Sequence, residues 1–174
     1  MTSAWNRKVT FAEIGRGPVR LLLEPDAEAR AALAKGLELE SLPSFSAKVE
    51  VKPWLDGVEM TGRLSARVGQ ICGVSLEPFE QDIATDITLR FLPGGSPNAG
   101  EEAAGGELTL DPDAPDPPEV LDTEEIDVTA YVVELLALEI DPFPRKPGAV
   151  FDYAPPEPEP SPFDVLKRLK DQER

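Results

Sequence analysis

The sequence predicts an α+β protein: an antiparallel β-sheet meander, able to curl toward a barrel, covered by helices. Three observations carry this. Residues 44–91 alternate apolar and polar side chains in three runs, the period-two signature of half-buried strands. Asp56-Gly57 joins the first two runs as a tight turn, and Glu77-Pro78 breaks the chain before the third. A helical repeat after Asp127, stopped by Pro142 and Pro144, supplies the apolar cover that a one-sided sheet requires.

Taken in chain order, "KVTFAEI" (8–14) reads as an edge strand and "PVRLLLEPD" (18–26) as a short strand. A helix follows, capped by Asp26 and stopped by Gly36. In the first long run Phe45, Ala47, Val49 and Val51 point one way. Val58, Met60, Leu64, Ala66 and Val68 do so in the second, and Phe79, Ile83, Ile87, Leu89 and Phe91 in the third. Next comes "PGGSPNAGEEAAGGE", with little to bury, and "DPDAPDPPE", whose prolines forbid helix. A mobile acidic loop over about 93–120 is expected, with "ELTLD" as a brief strand inside it. The helix capped by Asp127 should bury Val128, Tyr131, Val132, Leu135, Leu136 and Leu138, with Ile126 stapling back onto Tyr131. The domain is expected to span 1–145. Residues 146–160, with "APPEPEP", form a Pro-rich tether, and 161–174 a short amphipathic basic helix starting at Ser161-Pro162.

Net charge is −16, and it is concentrated. Residues 1–90 hold 11 Lys/Arg against 13 Asp/Glu, and residues 145–174 hold 6 of each. Between Arg90 and Arg145 there are 14 acids and no base. Such a segment repels phosphate backbones and attracts basic partners. No apolar run approaches the roughly 20 residues of a membrane helix. The N-terminus carries no apolar signal core, and one cysteine cannot form an internal disulfide. A soluble cytoplasmic protein is expected.

The chain has no histidine, so Ser-His-Asp and Cys-His catalysis within it are excluded. One cysteine and no histidine also make an intrachain zinc site improbable. The Asp-rich run lacks the glycine and terminal Glu of a calcium loop, and no phosphate-cradling glycine motif is present. No cofactor or metal is expected. Trp5 and Trp54 read as packing residues, because no basic patch interleaves with them.

"ICGVSLEPFE" (71–80), with Cys72, Leu76, Glu77 and Pro78, resembles the C-x-x-C-L-E-P motif of the bacterial YceD family, the large ribosomal RNA subunit accumulation proteins. Ser75 stands at the second cysteine of that motif. "VELLALEIDPFPRKPGA", with Asp141, Pro142, Pro144 and Arg145, is similar to the family's helix-then-D-P-[YF]-P-R segment, in the form common in alphaproteobacterial members. The tail "SPFDVLKRLK" also fits that subgroup. The resemblance implies a non-enzymatic role in synthesis, processing or accumulation of 23S rRNA. It also points to the large-subunit ribosomal protein bL32, whose gene often neighbours family genes. The family supplies no agreed catalytic site. With Ser75 in place of a cysteine, Cys72 reads as a small packed residue beside a strand turn.

Two binding modes follow as expectations. In the first, acids including Glu119, Asp122, Glu124 and Glu125 hold a Lys/Arg-rich ribosomal protein. In the second, Lys48, Lys52, Arg63 and Arg67 on the wet strand face contact rRNA directly, helped by the basic tail.

Overall fold

The computed structural model describes residues 5–99, 117–151, 153 and 154. Its centre is a five-stranded sheet in the order β2-β3-β4-β5-β6. β2 spans Val19–Leu23, β3 Ser41–Trp54, β4 Gly57–Ile71, β5 Pro78–Pro93 and β6 Glu119–Leu121. β2 to β5 are antiparallel neighbours, whereas β6 lies parallel to the end of β5. A separate two-stranded ribbon joins β1 (Lys8–Thr10) to β7 (Glu125–Asp127). The described residues also form three helices: α1 (Phe11–Ile14), α2 (Ala27–Gly36) and α3 (Val128–Glu139).

The α+β class and the meander stand as expected; a closed barrel does not form among the described residues. Among the described residues the sheet has two edges, β2 and β6, which do not pair with each other. The alternation is realised along all three long strands. Phe45, Ala47, Val49 and Val51 are buried, and so are Val58, Met60, Leu64, Ala66 and Val68. The register places like with like: Ala47 opposite Leu64, Val51 opposite Met60, and Val58 opposite Phe91. Of the third run, Ile83, Ile87 and Phe91 are buried, while Phe79 and Leu89 are half-buried. Each fully buried Leu, Met or Phe contributes about 1.5–3 kcal/mol against exposure.

Several boundaries differ from the sequence expectation. In the β3–β4 hairpin Trp54 pairs with Gly57, so the two turn residues are Leu55 and Asp56. The left-handed residue is Leu55 (φ 53), and Gly57 is needed instead for closeness. A Cβ there would collide with the Phe91 carbonyl oxygen of the next strand. Helix α2 is capped by the Asp26 carboxylate, which accepts from the Ala29 N–H at 2.8 Å. It ends through Glu38, which takes the left-handed conformation (φ 55) two residues beyond Gly36. Only Lys8–Thr10 of "KVTFAEI" is strand, and it pairs with β7 rather than edging the main sheet. Thr10 then accepts from the Glu13 N–H and starts the single turn α1.

Helix α3 begins where expected, with Asp127 accepting from the Ala130 N–H at 2.9 Å. Its buried face is rotated from the one expected. Val128, Thr129, Val132 and Leu136 are buried, Tyr131, Val133 and Leu135 are half-buried, and Leu138 is 76% exposed. The rotation follows from Thr129, whose hydroxyl accepts from the Arg7 N–H (2.8 Å) and donates to the Trp5 carbonyl (3.3 Å). That polar anchor turns the i, i+4, i+8 row 128/132/136 onto the sheet and carries Leu138 outward. Truncating Leu136 to Ala would cost roughly 2–5 kcal/mol.

The span expected as a mobile loop is structured at both ends. Ser96 is buried and donates its hydroxyl to Asp56 Oδ1 (2.9 Å); Asn98 donates to the same oxygen (2.8 Å). These bonds tie Pro93–Ala99 to the β3–β4 turn and hold the Asp56 carboxyl below its usual range. At the far end Glu119–Leu121 forms β6. "ELTLD" and six of the 14 acids, all within residues 100–116, lie outside the described residues, as do the end of the tether and the expected helix over 161–174. Trp5 packs edge-to-face on Phe45 (5.9 Å), and Trp54 lies under the Arg90 guanidinium (5.0 Å), the packing roles expected of both.

Candidate functional site: the junction of two distant motifs

The loop between β4 and β5 holds Cys72–Glu77, and the segment leaving α3 holds Asp141–Lys146. The fold joins them. The Gly73 N–H donates to the Pro144 carbonyl (2.9 Å), and the Lys146 N–H donates to Cys72 Sγ (3.3 Å). The Lys146 ammonium meets Glu77 Oε2 at 2.8 Å. Two segments about 70 residues apart in sequence therefore share one small structure.

Local rules explain each half. The loop closes on itself, with the Cys72 N–H on the Glu77 carbonyl and the Leu76 N–H on the Cys72 carbonyl, both 2.9 Å. Closure puts Leu76 at φ 59, a conformation a branched apolar residue adopts only when its surroundings impose it. Its side chain is 76% exposed. Pro78 then enters β5 as its first residue, where a missing N–H costs no ladder bond. On the other half, the Asp141 carboxylate accepts from the Phe143 N–H at 2.8 Å, a local turn that ends the helix direction. Pro142, Phe143 and Arg145 are exposed, and Pro144 is half-buried.

Cys72 is fully buried, as expected of a packed residue, but packing is not all it does. Its sulfur accepts from the N–H groups of Val74 and Ser75 (3.4 Å each) and of Lys146 (3.3 Å). Ser75, followed by the backbone donors, draws the thiol down from 9.0 to about 6. The junction sits at the rim of the molecule, so the opposing effect of desolvation is smaller than that of the donors. Lys146 likewise holds the Glu77 carboxyl low, and Glu77 raises the Lys146 ammonium.

Gln70 completes the junction and was not singled out by the sequence reading. It is buried at the end of β4 and donates Nε2 to the Asp141 carbonyl at 2.9 Å. The signal was available, since Gln70 falls on the inward parity of Ala66 and Val68. A polar side chain on the apolar face of a strand implies a partner.

The acidic candidates lie elsewhere, around β6 and β7. Glu119 accepts from the Tyr131 hydroxyl (2.7 Å), and Glu125 pairs with Lys8 (2.8 Å). The side chains of Asp122 and Glu124 are exposed. Two of the four carboxylates, Glu119 and Glu125, are thus engaged internally.

The basic candidates share the wet face of the sheet, where Lys48 stands opposite Arg63 and Lys52 opposite Glu59. Acids interleave with them. Arg63 pairs with Asp86 (3.0 Å), Arg67 with Asp82 (2.7 Å), and Lys52 with Glu59 (2.9 Å). Arg90 also reaches Glu59 (3.0 Å), and Arg20 reaches Glu50 (2.7 Å). Among the described residues Lys48 has no ion-pair partner. This face is a checkerboard of charge rather than a basic patch.

A family model described as "Large ribosomal RNA subunit accumulation protein YceD" matches residues 60–170, more than half of the chain and both halves of the junction. Neither the search of curated proteins nor that of solved structures returned a match. Among the described residues no helix is long and apolar enough to cross a membrane, and no group of three or more Cys, Asp or Glu is placed to hold a metal ion.

Proposed function

The chain belongs to the YceD family, and from that premise we propose that it acts in large-subunit ribosomal RNA accumulation as a non-enzymatic factor that holds a basic ribosomal protein. The family's name places its members in large ribosomal RNA subunit accumulation. The finer reading, in which the chain supports 23S rRNA processing and subunit assembly by shielding a protein such as bL32, rests on charge. Fourteen acids without one base lie between Arg90 and Arg145. Such a stretch repels rRNA and attracts a Lys/Arg-rich protein before that protein meets its RNA. The ion-paired sheet face supports the same choice, because Arg63, Arg67 and Lys52 already face carboxylates. A phosphate would have to displace those partners, which weakens the direct rRNA reading through Lys48, Lys52, Arg63 and Arg67. The protein is proposed to work in the cytoplasm, where ribosomes assemble, and without a cofactor.

The test compares two sets of variants against purified bL32 and against a 23S rRNA fragment. Neutralising Glu119, Asp122, Glu124 and Glu125 to Gln or Asn should slow association with the ribosomal protein, whereas under the direct rRNA reading it should strengthen binding to the rRNA fragment. A second variant changes only Asp122 and Glu124, because Glu119 and Glu125 hold Tyr131 and Lys8 and their loss could loosen the fold. Undiminished association of both variants with the basic protein at low salt refutes the shield. Strong, salt-steep rRNA binding lost on changing Lys48, Lys52, Arg63 and Arg67 to Ala would establish the other mode.

A further inference from the structure

Beside the junction, a groove of about 520 Å³ runs between the end of α2, the end of β4 and the end of α3. It is lined by Ile71, Ile140 and Pro144 together with the polar side chains Glu38, Glu40, Gln70 and Asp141. Ile71 remains 42% exposed there, and Phe143, next to Pro144, is 79% exposed. No described segment covers the groove. A groove that sets an apolar strip, Ile71, Ile140 and Pro144, among polar groups that include three carboxylates suits an amphipathic segment with a basic flank.

We propose that the groove is the docking site of the chain's own C-terminal segment, residues 161–174. Three observations select this occupant. The first is position. Pro144 lines the groove, and Lys146 is fixed to Cys72 and Glu77, so the tether to the segment starts at the groove itself. The chain then turns at Lys146–Ala149, where the Ala149 N–H returns to the Lys146 carbonyl and Gly148 takes φ 80. Residues 147–160 make a tether of 14 residues, with a reach of up to about 43 Å if fully extended as polyproline. A tether of that kind keeps the segment at an effective concentration near the millimolar range. The second is charge: Lys167, Arg168 and Lys170 cluster within four residues and complement Glu38, Glu40 and Asp141, while the segment's acids, Asp164, Asp171 and Glu173, lie outside that cluster. The third is pattern. Phe163, Leu166 and Leu169 recur every three residues, giving one apolar stripe for the apolar strip of the groove. A 14-residue helix is marginal in isolation, so such a segment gains its order by docking. This inference stands apart from the ribosomal-protein reading and fails or holds without it.

The test uses the full-length chain. A zero-length carbodiimide reagent couples Lys ammonium groups to carboxylates in contact, and the products are mapped by mass spectrometry in an equal mixture of ¹⁴N and ¹⁵N chains. Lys167 or Lys170 should couple to Glu38, Glu40 or Asp141 within single-isotope products. Leu169→Asp, a change in the tail that leaves every groove residue in place, should lower the yield at least fivefold, and so should Leu166→Asp. The proposal is overturned by absence of these couplings, by yields that ignore both substitutions, or by couplings found equally in mixed-isotope products, which would assign the groove to a second copy.

Discussion

Replacing Cys72 separates two roles that one buried sulfur combines. If Cys72 only fills space, Val should substitute well and Ser poorly. If its main work is accepting hydrogen bonds, the order reverses. The sulfur takes three N–H donors, from Val74, Ser75 and Lys146, at 3.3–3.4 Å. Those distances are long and the junction lies at the rim, where water can reach a freed donor. With the thiol protonated, at pH 5, about 0.5 kcal/mol for each is the appropriate scale, the lower end for a neutral bond. Cys72→Val should therefore cost about 1.5 kcal/mol. Cys72→Ser keeps an acceptor and loses some volume, for less than about 1 kcal/mol, and Cys72→Ala loses both, for about 2–3 kcal/mol. Urea unfolding at pH 5 resolves these differences; in thermal unfolding each kcal/mol is roughly 2–4 °C for a chain of this size. Amide exchange should quicken at Val74, Ser75 and Lys146 in the Val and Ala variants and little in Ser. A Val variant as stable as wild type, with Ser below it, would refute the reasoning.

The same thiol gives a pH test. Its folded value of about 6 lies below the ordinary 9.0, so between these the unfolded chain binds more protons than the folded one. Stability from this group is complete above pH 9 and is lost as pH falls through 6. Wild type should gain stability from pH 6 to 9 relative to Cys72→Ser. A flat difference would show the thiol to be unshifted.

Glu59, little exposed between Lys52 and Arg90, is held below its usual range by both; Glu59→Gln should cost about 1 kcal/mol at pH 7, and wild type should lose that advantage as pH falls below about 4.5, as unfolding at pH 7 and pH 3 will show. Gln70→Leu should detach the Asp141 carbonyl at a cost of about 1–2 kcal/mol and speed exchange of the Gly73 amide, whose acceptor is Pro144; unchanged Gly73 exchange would deny Gln70 a part in the junction. Gly57→Ala should destabilise by more than about 2 kcal/mol through the Phe91 carbonyl, while Leu55→Asn should be neutral or stabilising by about 0.5 kcal/mol; the opposite order in thermal unfolding would return the left-handed turn residue to Gly57.

The long strands were legible because each carries its own period, and the register then followed from one tight turn. Asp26 and Asp127 were legible as caps for the same local reason: a side chain reaching an N–H three residues on needs no tertiary information. What was illegible depends on other chains of contact. Gly57 looks like a turn residue until Phe91 is placed behind it, and Leu138 looks buried until Thr129 fixes the rotation of α3. Cys72 and Asp141 each stood within a recognisable motif, but nothing in either stretch says that one docks on the other. Ser96 and Asn98 resemble loop filler, and only Asp56, some 40 residues earlier, makes them structural.

The parallel placement of β6 beside β5 sets a lower bound on the chain between them. Returning to run in the same direction takes a dozen residues or so, and here 25 lie between Pro93 and Glu119. About half of that contour length is surplus to topology. The span holds six carboxylates, Glu101, Glu102, Glu107, Asp111, Asp113 and Asp116, and no cation. It is thus a short polyanion spliced into a connection whose ends are anchored by Ser96 and β6. None of those six carboxylates belongs to a residue that pairs β5 with β6, which meet through Phe91–Pro93 and Glu119–Leu121.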